Sequence, residues 1–267
     1  MKTMKTLIMA GALALMGSSL AAQSIAVGQE GRGYERRGMA IAEQLRDGWD
    51  VKNFAGSEDI ARAVCDSSDT PIGIAQIDAI YVMELEGCSL RTVGTYPSLE
   101  YAIILFPPDG DNELSDLGAG DSVLVDELGS GTALFWNNII SIEQDFGNGS
   151  DWMNATPVFD NIVFAESMAE TGEIQAVVLV GDPNSQEVWD LINAGWDLGQ
   201  FDDKDINDLQ FRGKELYAKE TVTIDPPGMF NGDSEQSFVV TSYIIVNSDN
   251  VDRSVMTRVA RIAKTLQ

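Results

Sequence analysis

Short apolar runs alternate along this chain with longer segments in which apolar residues recur every three or four positions. Residues 24–28 read as a short buried strand. A turn at Gly31 and Gly33 follows, and Tyr34, Gly38, Ile41 and Leu45 then fall on one helical face. Ser57, Glu58 and Asp59 mark a helix start, with Ile60, Ala61 and Val64 as its apolar side. Pro71 introduces a strand over 72–75, and 77–85 reads as another helix. This β-α-β-α order predicts parallel strands joined by crossover helices. A second series repeats it. A strand over 101–106 ends at Pro107-Pro108, a strand over 122–125 leads into the tight turn Gly129-Ser130-Gly131, and a helix covers 132–142. Strand 176–180 and a helix over 185–193 come next. An apolar strand over 238–246 and an amphipathic helix, with Val255, Val259, Ile262 and Leu266 on its stripe, close the chain. Two such series within 267 residues predict two α/β lobes.

Charge and composition remove several functions. There are 42 acidic and 17 basic side chains, a formal charge of −25. That balance opposes nucleic acid, whose affinity comes mainly from Lys and Arg meeting phosphates, and anionic membrane surfaces as well. Histidine is absent, which excludes the Ser-His-Asp triad, the Cys-His dyad and every His-containing zinc site. The sequence names no catalytic residue, no cofactor and no metal site. Asp109, Asp111, Glu113 and Asp116 resemble part of a calcium loop, yet Leu114 stands where an EF-hand needs glycine and Gly120 where it needs glutamate. Asp202, Asp203 and Asp205 read as a solvated face.

Residues 1–22 have the layout of a secretory signal peptide. Lys2 and Lys5 precede an apolar run over 7–16, and small residues at 19–22 supply a cleavage point after Ala21 or Ala22. The run is shorter than the roughly 20 residues a spanning helix needs, so no stable membrane insertion is expected. The expected location is periplasmic or secreted. In an oxidising compartment Cys65 and Cys88 read as a disulfide, the alternative being two unpaired thiols. The bridge would close a loop of 24 residues, counted inclusively, contributing about 3 kcal/mol in the loop-entropy picture.

The local signals for binding sit at strand-to-helix junctions. Gly129, Ser130, Gly131 and Thr132 would expose backbone N–H groups at the positive end of a helix, a cradle for a carboxylate or phosphate. The competing reading is an ordinary turn with a Ser or Thr cap. A P-loop is excluded because Ala133 follows Thr132 where a lysine is required. Residues 28–34 form a similar junction with Gly31, Arg32 and Tyr34, either a second cradle or a surface turn. Gln76 and Asp78 follow strand 72–75 at its carboxyl end, where open α/β sheets bind ligands; a capping role for Asp78 competes.

The order of these motifs resembles the TAXI family of solute receptors that serve tripartite TRAP transporters. The resemblance is carried by the strand and turn at 25–34, by Gly56-Ser57, and by Ile74-Ala75-Gln76-Ile77-Asp78. Further along it is carried by Leu114-Ser115-Asp116-Leu117, by Gly129-Ser130-Gly131-Thr132, and by residues 224–230 ending in Phe230. Departures are Glu30 in place of a small polar residue, Ala119-Gly120 in place of Gly-Lys, and Phe230 in place of tyrosine. The resemblance implies a type II periplasmic-binding-protein fold: two lobes, each a mostly parallel mixed sheet flanked by helices, with a ligand cleft between them. Residues 23–100 and 220–267 would form lobe 1 and residues 101–219 lobe 2. The chain would cross near 99–103 and return near 212–224. The implied function is capture of a small organic anion, a carboxylate or an amino acid such as glutamate, for the permease subunits of a TRAP transporter. Alternatives are a phosphate receptor, or an exported binding protein without a transporter. The implied ligand set is Gly31, Arg32, Tyr34, Gln76, Asp78, Gly129, Ser130, Gly131, Thr132 and Phe230.

Overall fold

The computed structural model describes residues 23–46, 48–227 and 232–266; the expected signal peptide and Phe230 lie outside them. The first series runs β1 (Ser24–Val27), α1 (Gly33–Leu45), β2 (Asp50–Asn53), α2 (Ser57–Asp66), β3 (Ile72–Gln76), α3 (Ile77–Leu85) and β4 (Leu90–Thr95). The second runs β5 (Glu100–Phe106), β6 (Ser122–Leu124), α4 (Gly131–Phe146), β7 (Thr156–Val158), α5 (Ala165–Glu170), β8 (Ala176–Gly181), α6 (Gln186–Asn193) and β9 (Asp197–Gly199). A small hairpin of β10 (Gln210–Phe211) and β11 (Lys214–Glu215) precedes β12 (Ala218–Ile224), β13 (Asp233–Val240), β14 (Ser242–Asn247) and α7 (Arg253–Thr265).

Two large sheets result. The first has the order β2-β1-β3-β14-β4, with β14 antiparallel to both neighbours and the other pairs parallel. The second has the order β12-β13-β5-β8-β6-β7, with β9 added to β5. Its parallel part is confined to β8-β6-β7; the pairs from β12 to β8 are antiparallel. Strand alternation covers both faces of each sheet. In the first, Ile25 and Val27 pack with Ile41, Leu45 and Val259, whereas Ala26 faces Ile60, Val64 and Ile80. In the second, Ile104 and Phe106 pack with Phe135, Trp136 and Ile139, whereas Ile103 and Leu105 face Val188 and Leu191. Each lobe is thus a three-layer α/β unit with helices on both sides.

The chain passes between the sheets at residues 96–99 and again at Thr241. The apolar run over 238–246, expected as one strand, is two strands in two sheets, because β13 pairs with β5 and β14 with β3 and β4. Strands β12 and β13, expected largely in lobe 1, therefore hydrogen-bond into the second sheet, and the return lies at 241 rather than near 212–224. Seven β12–β13 register pairs, from Ala218↔Val239 to Ile224↔Asp233, fix that placement. Cys65 and Cys88 form a disulfide with Cα atoms 5.9 Å apart, joining the last turn of α2 to the segment after α3. No described helix is long and apolar enough to cross a membrane.

Glycine at position 73 sets how closely α2 lies on β3. A Cβ there would stand 2.8 Å from the Cγ2 atoms of both Ile60 and Val64. Gly73→Val is expected to destabilise the protein by about 1–3 kcal/mol through overpacking, read as a lower urea midpoint at unchanged slope. An unchanged midpoint would contradict this packing.

Candidate functional site

The two crossing segments lie side by side, since Glu100, the first residue of β5, pairs with Val240 just before the crossing at Thr241. Two polar side chains sit at these crossings. The Glu100 carboxylate accepts hydrogen bonds at Oε2 from the Tyr34 hydroxyl (2.6 Å), from Gln76 Nε2 (3.3 Å) and from the Ser242 hydroxyl. The Tyr34 hydroxyl also lies 2.6 Å from Ser242 Oγ. Strand alternation explains the convergence: β3 and β14 present Gln76 and Ser242 as register partners, and α1 lays Tyr34 over them. Among the described residues no lysine or arginine forms an ion pair with Glu100. Burial raises its carboxyl above the usual glutamate range, against the three donors that pull it down, and the Asp182 charge adds to the rise. Burial, followed by the charge of Glu100, raises the Tyr34 phenol well above its ordinary value.

The opposite wall is the start of α4. Gly129 has φ +85°, a backbone conformation favouring glycine, and the turn it makes brings Ser130 to the N-cap. Ser130 Oγ accepts from the Ala133 N–H (3.0 Å), so the capping reading of that hydroxyl describes its bond. Thr132 Oγ1 accepts from the Val180 N–H of β8 (2.9 Å), anchoring the turn to its own sheet. As first residues of the helix, Gly131 and Thr132 carry N–H groups with no acceptor inside it. The walls touch. A Cβ on Gly56, at the start of α2, would lie 2.6 Å from Ser130 Cα and 3.0 Å from Gly131 N. A Cβ on Gly131 would collide with the Gln76 carboxamide. Gln76 therefore spans the seam, from Glu100 to Gly131, and its Oε1 is buried there without a donor.

Asp78 lies deeper in the same seam. Its Oδ2 accepts from the Tyr217 hydroxyl (3.0 Å), which in turn accepts from Asn138 Nδ2 of α4 (3.2 Å), and its Oδ1 accepts from the Ala79 N–H (2.8 Å). The side chain is fully buried, and that burial pushes its carboxyl up to about 7. Its bonds to Tyr217 and Ala79 oppose the shift, and Glu100 adds slightly to it. Arg32 reaches across the rim to Glu187 of α6 (2.5 Å), a partly exposed inter-lobe ion pair. Gly31 is exposed and donates its N–H to Glu35 Oε2 (2.6 Å).

Of the residues singled out in the sequence, Tyr34, Gln76, Gly129, Ser130, Gly131 and Thr132 meet at one seam, with Asp78 beneath it. Arg32 stands at its rim. Gly31 is bonded within its own turn, and Phe230 lies outside the described residues. Glu100, Ser242, Tyr217 and Asn138 were missed. A polar residue opening an apolar strand, and the Thr241-Ser242 interruption of the apolar run over 238–246, were the available signals for the first two. Two surface grooves, of about 360 and 410 Å³, lie elsewhere. The first is beside the crossing segments between Leu99, Asp182 and Thr223, and the second lies around residues 248–255.

No protein-family model matches the chain, and no curated protein matches it in sequence. Among solved structures, the substrate binding protein of an amino acid ABC transporter superposes with a TM-score of 0.51 at 11% identity, over 91% of this chain and 92% of that one. The aliphatic sulphonate binding protein of Escherichia coli gives 0.48 at 15% identity, covering 91% and 70%. An extracytoplasmic solute receptor of Bordetella pertussis that binds pyroglutamic acid gives 0.46 at 11% identity, covering 91% and 77%. The first likeness, with the two-sheet topology, establishes the fold as that of two-lobed periplasmic binding proteins.

The raised Asp78 carboxyl has a sign that can be measured. Between the ordinary value of 3.8 and about 7, the folded protein holds a proton that the unfolded chain has released. Asp78 therefore favours folding below that window, and the benefit fades as pH rises through it, by an amount on the order of 4 kcal/mol. Asp78→Asn is expected to lose less stability than the wild type between pH 4.5 and pH 7.5 in urea melts. Equal losses in the two proteins would contradict the assignment.

Proposed function

We propose that this chain is an exported receptor that closes its two lobes on a small solute bearing both a carboxylate and an amino group, an amino acid such as glutamate, and delivers it to a TRAP-type membrane transporter. The observation that carries the ligand class is the Glu100 carboxylate, ringed by Tyr34, Gln76 and Ser242 but paired with no described cation. A buried carboxylate is stabilised by a cation brought to it, and a ligand ammonium is such a cation. Across the seam, the free N–H groups of Gly131 and Thr132 at the positive end of α4 suit the ligand's carboxylate. The spanning Gln76 carboxamide, with Oε1 lacking a donor, would find one in the ammonium group. The overall negative charge does not forbid this, because salt screens distant charges beyond about 10 Å at 0.1 M.

Closure follows from the same contacts. With Gly56 against the Gly129–Gly131 turn, solute enters when the lobes part and is enclosed when they meet, hinging at residues 96–99 and 241. Export rests on the layout of residues 1–22, and the transporter class on the motif order over residues 25–230. No chemical step is assigned to the seam.

Titration calorimetry with glutamate, glutamine, a plain dicarboxylate and phosphate tests the ligand class. The amino acids are expected to bind, and Glu100→Gln to weaken them about 10- to 100-fold, the range of a lost charge-assisted hydrogen bond. Binding of the dicarboxylate or phosphate as tightly as the amino acids would overturn the ammonium reading. Gly56→Ala tests closure. Its methyl group is expected to hold the lobes apart, giving weaker binding and a larger radius of gyration by X-ray scattering than the wild type at saturating ligand. Unchanged affinity and radius would contradict the seam as the binding face.

A further inference from the structure

Far from the seam, at the other end of α4, three carboxylates gather. Glu143, in the last turn of the helix, and Asp203 and Asp205, in the loop after β9, each bring an oxygen within 4.8 Å of the other two. Their surroundings are built rather than solvated. Glu143 is only 1% exposed; its Oε1 accepts from the N–H groups of Gly149 (2.9 Å) and Ser150 (2.8 Å), and its Oε2 is buried with no donor at all. Asp203 Oδ2 accepts from Trp152 Nε1 (2.8 Å) and Ser150 Oγ (3.1 Å), and its Oδ1 from the Asp205 N–H (2.8 Å). The run over 202–205, expected to be a solvated face, is thus partly buried against the end of α4.

No lysine or arginine forms an ion pair with any of the three among the described residues. The last turn of α4 contains no basic residue, so the negative end of its dipole adds to the same field. A nearly inaccessible carboxylate oxygen without a donor, beside two further carboxylates, is a costly arrangement unless a cation joins it.

We propose that Glu143, Asp203 and Asp205 form a calcium site that ties the C-terminal turn of α4 to the loop after β9. The donors are oxygens only, which selects a hard cation. Oxygens within 4.8 Å of one another fit the first shell of Ca²⁺, whose opposed ligands stand about 4.6–5.2 Å apart. The backbone N–H bonds from Gly149 and Ser150 orient Glu143, and Trp152 with Ser150 orients Asp203, so the ligands are positioned before the ion arrives.

The test uses the purified chain stripped with EGTA and titrated with CaCl₂ into the millimolar range, followed by thermal unfolding and by calorimetry. Calcium is expected to raise the melting temperature by about 5 °C or more at 100 times its dissociation constant. Asp203→Asn and Asp205→Asn are expected to abolish both the shift and the binding heat, while Asp109→Asn, on the exposed acidic loop, keeps them. Glu143→Gln is read by binding heat, and Asp205→Asn, at a partly exposed position, guards against a folding failure. No shift and no heat in the wild type, or a shift that survives in both aspartate variants, would overturn the site. An equal response to MgCl₂ would overturn its assignment to calcium.

Discussion

A carboxylate where the chain crosses between its two sheets organises the centre of this molecule. Glu100 opens β5 where the chain first crosses between sheets, and Ser242 opens β14 where it returns; their side chains are bonded to each other. Placing a carboxylate away from water costs several kcal/mol when no partner is present. Donors from three separate elements offset that cost here: the phenol of Tyr34 from α1, the carboxamide of Gln76 from the end of β3, and the hydroxyl of Ser242. One side chain thereby fixes the approach of α1, the end of β3 and the direction of both crossings. The same group is a charge in the seam that a solute would have to answer.

The second constraint is proximity. Lobes built from ordinary side chains could not bring α2 and α4 together as they do here, because Gly56 and the Gly129–Gly131 turn meet backbone to backbone. Glycine at these positions puts main-chain N–H groups, rather than side chains, on the inner wall. The helix that begins there is also a strut. Its 16 residues run about 24 Å, from the seam to the carboxylate cluster around Glu143. Fixing one end of such a rod limits the tilt of the other, so an ion at Glu143 would steady the N–H groups of Gly131 and Thr132.

Much of this was legible in sequence, for identifiable reasons. Strands buried on both faces read as continuous apolar runs, and helices betrayed themselves by period, so β3, β5, β8, α3, α6 and α7 stood close to their observed bounds. The short strands β2, β7 and β9, and the edge strand β12, did not. They lie on sheet edges or in brief pairings, carry exposed or charged residues such as Lys52 and Glu220, and owe their conformation to partners far away in the chain. The split of the 238–246 run was hidden for the same reason, since which sheet a strand joins is decided by pairing and not by its own residues. At the seam, glycine-rich junctions flagged Gly129–Thr132, and strand ends flagged Gln76. Glu100 carried no motif. Its importance comes from convergence in space, as does that of Glu143, which sits 60 residues from Asp203.

The most direct test is a crystal structure grown with the amino acid that binds best. Density for its ammonium group against Glu100 and Gln76, with its carboxylate on the N–H groups of Gly131 and Thr132 and the lobes closed about it, is the predicted result. A solute bound outside the seam, with Glu100 still bonded only to Tyr34, Gln76 and Ser242, would contradict it.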